Sequence, residues 1–328
     1  MPESKPNCAQ TVSSSVLAAL MSVKATKVQP SKFVGGCPRT TQQGAQVNIM
    51  KKLLMATDLS ARSNRALQRA LALAHQLGAA LEVVHIVSDT VPVSVAEQYE
   101  ASARASIEQL LASLPLDADV KTEIAIIRGH DYEEILYHAQ ETGAELVVLG
   151  ITRHIAYELF RGTTAERIVR FGNLPVLLVK DPVVNDYERV LVATDNSPAA
   201  QRALECAVAI APNAEFHLLH AIHVPFTGFL GPESQAQIRR EQERNLRNAF
   251  EKGIRAHVER LGNGGLRATF HLEEGDIVRV IRNQVARLKP DLLAIGSHGG
   301  SGLRHALIGS VAGRMLSDPP VDVLVTEV

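Results

Sequence analysis

Leu53-Leu-Met-Ala-Thr-Asp58-Leu-Ser60 is the stretch that decides the fold, because it returns later as Val190-Leu-Val-Ala-Thr-Asp195-Asn-Ser197. Each version is an apolar run that ends in Ala-Thr-Asp and is followed two residues later by a serine. A short apolar run that leads into an amphipathic segment through a capping residue indicates a strand, a turn and a helix. The chain is therefore built around one strand-turn-helix unit that occurs twice.

The duplication extends well beyond this unit. Three further pairs of blocks match in the same order, namely 81–86 with 216–221, 128–135 with 274–281, and 144–150 with 290–296. They predict two copies of one domain, at 49–181 and 187–328. Residues 1–48 are rich in Ser, Thr, Gln, Pro and Gly and show no sustained period, so we expect a disordered or weakly ordered tail there.

The patterning within each copy predicts an α/β fold. Short apolar runs alternate with longer amphipathic stretches, which is typical of βαβ units around a parallel sheet. The runs are apolar along their whole length, as expected when helices cover both faces of the sheet. In the second copy, strands are expected near 189–194, 214–221, 267–273, 291–296 and 321–326.

The composition excludes several partners and compartments. Among 328 residues, 34 Lys and Arg balance 35 Asp and Glu, so a nucleic acid bound through a broad basic face is not expected. Cys8, Cys37 and Cys206 fit neither a disulfide framework nor a zinc ribbon, which favours a reducing compartment. No apolar run approaches the roughly 18 residues of a membrane span, and 16–21 lacks the basic flank of a secretory signal. We expect a cytoplasmic protein that does not bind membranes.

The loop most suggestive of ligand binding is Gly296-Ser-His-Gly299-Gly-Ser-Gly302-Leu-Arg304-His-Ala-Leu-Ile-Gly309-Ser310-Val311, which follows an apolar run and contains no acidic residue. Glycines allow backbone amides to approach a ligand, and a helix start presents N–H groups and a positive dipole end to anions. In open parallel sheets, ligands bind beyond the carboxyl ends of strands where the strand order reverses. The loop therefore predicts a polyphosphate site, with Asp195 across the crevice to contact the sugar or the base.

These motifs together resemble the ATP-binding pattern of the universal stress protein family. The resemblance rests on Val192-Ala-Thr-Asp195, on His220-Ala221 and on the spacing Gly296-x2-Gly299-x9-Gly309-Ser310. It covers the chain from about residue 50 to residue 328 and identifies a tandem member. It implies two tandem doubly wound domains, each with a five-stranded parallel sheet in the order 3-2-1-4-5. It also implies that the second domain binds ATP, together with Mg²⁺.

The resemblance assigns ligand contacts to particular positions. The residues implied to hold the nucleotide are Ala193, Asp195, Ala221, Gly296, Gly299, Gly309, Ser310 and Val311. Asp195 and Ala221 would line the adenosine side, and the glycines and Ser310 would hold the phosphates with Val311 beside them. Ala193 is a departure, since some ATP binders of the family carry proline there.

The loop of the first copy departs much further from the pattern. Arg153 stands where the second glycine belongs, and the spacing to Gly162-Thr163 is one residue shorter. A bulky side chain and a shortened loop should close the path to phosphates. We therefore expect the first domain to be mainly structural or regulatory, with Asp58 retained as part of the strand-turn-helix connection.

His217, His220 and His223 fall within one short segment and raise the question of a metal site. On a strand, His217 and His223 share one face while His220 points to the other. One ion cannot easily bind all three side chains, so a packing or interface role is favoured.

Three functions remain open from the sequence. The leading hypothesis is an ATP-dependent regulatory or stress-response switch whose surface is read by a protein partner. The second is a nucleotide-free scaffold or dimerisation module. The third is a slow ATPase or phosphotransferase that uses His298 or Ser310. Since no second carboxylate or general base is evident beside the loop, any hydrolysis of ATP should be slow.

The last strand is the expected site of association, because members of the family tend to pair through it. In this chain, 321–328 should pair either with 175–180 of the first copy or with a second molecule in a homodimer. Asp322 within the strand is expected to discourage open-ended pairing of an exposed edge.

Overall fold

The computed structural model describes residues 50–114, 120–151, 162–222, 266–298 and 308–327, with a few positions between 241 and 254. The predicted tail, 1–48, lies outside this range. The elements of the first copy are β1 (Lys52–Thr57), α1 (Ala61–Leu77), β2 (Ala80–Val87), α2 (Val93–Ser113), β3 (Thr122–Arg128), α3 (Asp131–Thr142), β4 (Leu146–Gly150), α4 (Thr164–Phe171) and β5 (Val176–Val179). Those of the second copy are β6 (Arg189–Ala193), α5 (Pro198–Ile210), β7 (Glu215–Ile222), β8 (Arg267–Glu274), α6 (Ile277–Leu288), β9 (Leu292–Gly296), α7 (Ser310–Ser317) and β10 (Asp322–Thr326).

All described strands belong to one ten-stranded sheet in the order β3-β2-β1-β4-β5-β10-β9-β6-β7-β8. Each half of the sheet is parallel and has the order 3-2-1-4-5, so the predicted fold class is confirmed. The strands predicted for the second copy are all present. No helix in the described ranges is long and apolar enough to cross a membrane.

The apolar strands are buried on both faces of the sheet. In β1, Leu53 and Met55 pack into one hydrophobic cluster while Leu54 and Ala56 pack into another. Successive side chains of a strand point to opposite faces, so these two clusters are the cores beneath the two helical layers. This arrangement is why the strands read as continuous apolar runs in the sequence.

The repeated serine of the strand-turn-helix unit caps the following helix in both copies. The Ser60 hydroxyl accepts a hydrogen bond from the Ser63 amide at the start of α1, and the Ser197 hydroxyl accepts one from the Ala200 amide at the start of α5. Such a cap satisfies one of the amides that lack a partner in the first turn. The connection thus fixes where each helix leaves the carboxyl edge of the sheet.

The two copies join through their last strands. β5 and β10 run antiparallel, with Leu177 opposite Leu324, and α4 packs against α7 across this seam. The pairing of 321–328 with 175–180 within one chain, expected from the sequence, is therefore present. The expected pairing between molecules stays a prediction.

Asp322 does not play the role predicted for it, because it does not lie at an open edge. It is 1% exposed, and its carboxylate accepts hydrogen bonds from the Lys180 and Asp181 amides and from the Tyr187 hydroxyl. Arg69 lies 3.7 Å from the same carboxylate and 4.0 Å from the Tyr187 ring centroid. Burial raises the pKa of Asp322, although the two amides oppose the rise. Asp322 therefore fastens the linker between the copies to the seam.

Candidate functional site

A cleft of about 260 Å³ opens at the carboxyl ends of β6 and β9, and we call it the β6–β9 cleft. These strands are neighbours, with Ala193 opposite Ile295, although β7 and β8 intervene in the sequence. They flank the point where the order of the sheet reverses, which is where open α/β sheets bind ligands. The lining residues are Ala193, Thr194, Asp195, Ser197, Ala200, His220, Ala221, Ile277, Ile295, Gly296, His298 and Val311.

The structure brings five of the predicted site residues together in this cleft, namely Ala193, Asp195, Ala221, Gly296 and Val311. Gly309 and Ser310 lie at the start of α7, directly before Val311, but do not line the cleft. Gly299 lies outside the described residues, as does Arg153 of the first copy. The contacts that these residues make with a ligand stay predictions.

The two repeated aspartates are held differently. Asp195 accepts a hydrogen bond from the Ser197 amide at 3.0 Å. Asp58 accepts the corresponding bond from the Ser60 amide at 2.9 Å and a second one from the Ser63 hydroxyl. The position of Ser63 is taken in the second copy by Ala200, which offers no hydroxyl and lines the cleft.

The hydrogen bonds to Asp58 also affect its pKa. Partial burial raises the pKa of Asp58, but hydrogen bonds from Ser60 and Ser63 outweigh burial and lower it. The carboxylate is thus engaged within its own turn, as the sequence analysis expected for Asp58. Asp195 lines the cleft, and the position of Ser63 is taken there by Ala200.

His220 sits at the end of β7 beside Ala221. Its Nδ1 lies 2.8 Å from the Thr194 carbonyl oxygen, and His85 of the first copy has the same 2.8 Å contact with the Thr57 carbonyl oxygen. Since a carbonyl only accepts, Nδ1 carries the proton in each ring and donates it. The bond fixes the ring of His220 in the wall of the cleft and thereby positions Ala221.

Packing alone requires a residue without a side chain at position 296. A Cβ at Gly296 would lie 2.8 Å from the Ala199 Cβ and 2.9 Å from the Ala200 amide nitrogen, in the first turn of α5. Gly150 has the equivalent close approach to Arg62 and Ser63, although the loop that follows it has lost the glycine pattern. Both glycines therefore let a helix start pack on a strand end, and this explanation suffices without a phosphate.

The starts of α4 and α7 differ in the way that matters for anion binding. In α4, the Thr163 hydroxyl accepts from the Glu166 amide, and the Glu166 carboxylate accepts in return from the Thr163 amide at 2.8 Å. This reciprocal cap occupies the amides and places a negative charge at the positive end of the helix. In α7 the corresponding positions are Ser310 and Gly313, and the helix start has no side-chain cap. The start of α7 thus keeps its capacity for an external anion.

The amide of Gly309 is the exception at this helix start. It donates to the Ser297 carbonyl oxygen at 2.9 Å, and a Cβ at Gly309 would lie 2.7 Å from that oxygen. The close approach explains the glycine, because no other residue could bring the loop so near to Ser297. The donors left for a ligand are the amides further along the first turn, from Ser310 onward.

The sequence analysis missed residues in the cleft and beside it. Ile277 enters from the start of α6, and nothing in its sequence context separates it from an ordinary core position. Glu327 brings a carboxylate oxygen to 3.9 Å from Nδ1 of His298, so a second carboxylate does lie near the loop. Glu327 could have been found from its position in the sequence, because it directly follows the last strand, β10, which ends beside the end of β9.

His217 contacts another histidine. Its Nδ1 lies 3.2 Å from Nε2 of His271 on the adjacent strand β8. Within the described part of the chain, no group of three or more His, Cys, Asp or Glu side chains could hold a metal ion. His223 lies outside the described residues.

The fold and the cleft define a class: a tandem, doubly wound α/β protein with a ligand-sized cleft at the switch point of its second copy. The universal stress protein family model matches residues 50–180 and again residues 186–327. The chain therefore belongs to the universal stress protein family, as a tandem member.

Individual relatives cover one copy or both. Universal stress protein YxiE of Bacillus subtilis is 28% identical over 149 residues, which are 40% of this chain and 100% of that protein. Universal stress protein A homolog 1 of Coxiella burnetii is 26% identical over 138 residues, 39% of this chain and 95% of that protein. A universal stress protein structure from Archaeoglobus fulgidus covers 84% of this chain and 96% of its own, with 20% identity and a TM-score of 0.62. That last likeness supports the fold alone.

Proposed function

We propose that this protein is an ATP-dependent regulatory switch in the stress response and that its second copy binds the nucleotide. The observation that carries the proposal is the contrast between two equivalent helix starts. The reciprocal Thr163–Glu166 cap occupies the start of α4, whereas the start of α7, whose Val311 lines the β6–β9 cleft, has no side-chain cap. The first copy then has a structural or regulatory role, and a protein partner reads the state of the second.

The cleft suits the nucleoside part of ATP. Its 260 Å³ lies just below the roughly 300 Å³ at which sites for drug-sized ligands begin. An adenosine group would fill it against Ala221 and Ile277, with Asp195 accepting from a ribose hydroxyl. The phosphates would extend out of the cleft to the amides at the start of α7.

A Mg²⁺ ion fits this arrangement as a companion of the phosphates. Mg²⁺ is usually held by one or two carboxylates together with phosphates and water, so it needs no cluster of protein ligands. When bound, the ion neutralises phosphate charge. Its ligands would be phosphate oxygens and water outside the cleft, while Asp195 would contact the ribose inside it.

The two repeated aspartates give a matched experiment. Equilibrium binding of ATP in the presence of Mg²⁺ is measured by calorimetry for the wild type, Asp195→Ala and Asp58→Ala. We expect one site per chain, weakened at least about tenfold by loss of the Asp195 carboxylate and unchanged by Asp58→Ala. Absence of binding to the wild type, or equal effects of the two substitutions, contradicts the proposal.

A slow ATPase is a second candidate, and the His298–Glu327 contact favours it. The Glu327 carboxylate lies 3.9 Å from the His298 ring, and the Ser297 hydroxyl lies 2.9 Å from Nδ1 of that ring. A histidine oriented in this way has the chemistry of a general base. Sustained phosphate release that is lost in His298→Ala supports this candidate, and release at the same rate in both proteins rejects it.

The proposal includes a cytoplasmic location. The cysteine among the described residues is compatible with it. Cys206 is a buried free thiol in α5, and burial raises its pKa to about 11. Such a thiol stays protonated and unreactive at neutral pH. Fractionation of cells that express the tagged protein tests the location.

A further inference from the structure

A second cavity lies at the seam between the copies, and we call it the seam cavity. It has a volume of about 540 Å³ and shares no lining residue with the β6–β9 cleft. It forms where α4 packs against α7, so both copies contribute walls. The first copy contributes Tyr132, Arg167, Arg170 and Phe171 to the lining, and the second copy contributes Ile308 and Gly313.

The first copy supplies two aromatic rings and two guanidinium groups to this cavity. The centroids of the Tyr132 and Phe171 rings are 5.7 Å apart. The Arg167 guanidinium lies 4.8 Å from the Tyr132 centroid, and the Arg170 guanidinium lies 5.0 Å from the Phe171 centroid. A guanidinium held over a ring keeps its N–H edge available to an anion, so the cluster combines flat surfaces with oriented donors.

Two carboxylates lie at or near the cavity, namely Glu166, which lines it, and Asp131. Glu166 accepts from the Thr163 amide at the positive end of α4. Asp131 lies 3.6 Å from Arg167 and accepts from the Thr164 hydroxyl. Arg170 forms no ion pair within the described ranges and is exposed, so its charge is the one that lacks compensation at this cavity.

The second copy shows that the fold does not need this cluster. The buried residues of α4 and α7 have the same spacing, with Ala165, Ile168 and Val169 matching Ala312, Met315 and Leu316. By this alignment and the block matches above, the counterparts of Tyr132, Arg170 and Phe171 are Val278, Ser317 and Asp318. The cavity wall therefore differs between the copies in its rings and in Arg170, although the buried residues of the two helices have the same spacing. Tyr132 also packs against the hydrophobic core, but Arg170 and Phe171 are exposed, and burial in the core does not explain them.

We propose that the seam cavity binds a small anion that carries a flat aromatic or heteroaromatic ring. The ring packs against Tyr132 and Phe171, and the anionic group faces Arg170. Gly313 leaves room at the wall formed by the second copy, where the atom nearest to an added Cβ, Ile308 Cγ2, would be 3.7 Å away. The proposal does not depend on nucleotide binding in the β6–β9 cleft and gives the first copy a ligand of its own.

The test uses 1-anilinonaphthalene-8-sulfonate, an aromatic anion whose fluorescence rises when it leaves water, on the full chain. The informative variant is Arg170→Ser/Phe171→Asp, which imports the residues of the second copy. The matched control is Tyr99→Asp/Arg104→Ser, which removes one aromatic ring and one arginine from the exposed face of α2. Ala221→Arg, which obstructs the β6–β9 cleft, separates the two sites.

We expect saturable binding to the wild type that survives in Ala221→Arg and in the control. In Arg170→Ser/Phe171→Asp the Kd should rise at least about tenfold, because the charge and one ring are both lost. Uncharged N-phenyl-1-naphthylamine should bind at least about tenfold more weakly than the anion. The proposal is overturned if the wild type shows no saturable binding, if the neutral compound binds equally, or if only Ala221→Arg reduces binding. Thermal melts confirm that each variant is folded.

Discussion

Closing the start of α7 in the manner of α4 should raise stability and weaken ATP binding at the same time. Ser310→Thr/Gly313→Glu introduces the residue pair of the reciprocal cap at the positions that match Thr163 and Glu166 in the spacing of buried residues. Because α7 has Gly309 as its N-cap, forming the new cap moves the start of the helix by one residue, so that position 310 becomes the N-cap. A Cβ at position 313 has its nearest neighbour, Ile308 Cγ2, at 3.7 Å, so the new side chain fits. The variant thus changes the helix start without disturbing the packing.

The magnitudes follow from the groups that are changed. The cap contributes about 1 kcal/mol and the removal of a mid-helix glycine about 0.5 kcal/mol more, so the free energy of unfolding should rise by about 1.5 kcal/mol. For a protein of this size, that corresponds to a Tm increase of roughly 2–3 °C. The new carboxylate competes with phosphate for charged hydrogen bonds, which should weaken ATP binding by about 2 kcal/mol, or roughly 30-fold in Kd.

The assay is a thermal melt and a calorimetric ATP titration on the same preparations. Gly313→Ala is the matched control, since it gains helix propensity without a carboxylate, and its ATP affinity should stay within about twofold of wild type. Adenosine should bind all three proteins equally. If the Tm rises and the ATP affinity does not change, the start of α7 does not bind phosphate and the site assignment is wrong.

Three further predictions concern stability. Burial lowers the pKa values of His217 and His271 in the folded protein. Below the unfolded pKa of about 6.5, the unfolded chain therefore binds more protons than the folded one. The free energy of unfolding should keep its full value above about pH 6.5 and decrease as the pH falls below it. Urea midpoints between pH 7.5 and pH 5 check this, and the fall should shrink in His217→Gln. Tyr187→Phe removes the 2.7 Å bond to buried Asp322 and should lower the free energy of unfolding by about 1–3 kcal/mol; an unchanged urea midpoint would show that the linker is not fastened there. Gly296→Ala should cost about 1–3 kcal/mol through its clash with α5 even without nucleotide, as measured by denaturation of the apoprotein.

The fold could be predicted because its strands are buried on both faces. Runs such as 190–193 and 292–295 are apolar throughout, so their positions in the sequence coincide with strands. The strand order came from the resemblance, and the structure confirms it. The role of Asp322 could not be predicted, because a charge in a strand signals an exposed edge unless the linker that covers it is known.

The cleft was predictable to the extent that its residues belong to strand ends. Asp195, Ala221 and Gly296 lie at the carboxyl ends of their strands or directly after them, and the parallel sheet brings those ends to one edge. Ile277 comes from a helix start whose position depends on packing, so no local pattern marked it. The sequence analysis expected Arg153 to close the first copy to phosphates; Arg153 lies outside the described residues, so this stays a prediction. The Thr163–Glu166 cap at the start of α4 is a further difference between the copies, and the sequence analysis did not identify it.

The antiparallel seam has a consequence for how the two halves can diverge. In a dimer of identical chains, every substitution appears on both sides, so a mutation that closes one binding site closes the other. Here β5 and β10 form the same junction within one polypeptide, and each half carries its own codons. The start of α4 can therefore carry the Glu166 cap while the start of α7, with glycine at position 313, has no side-chain cap. A substitution in one copy does not change the other.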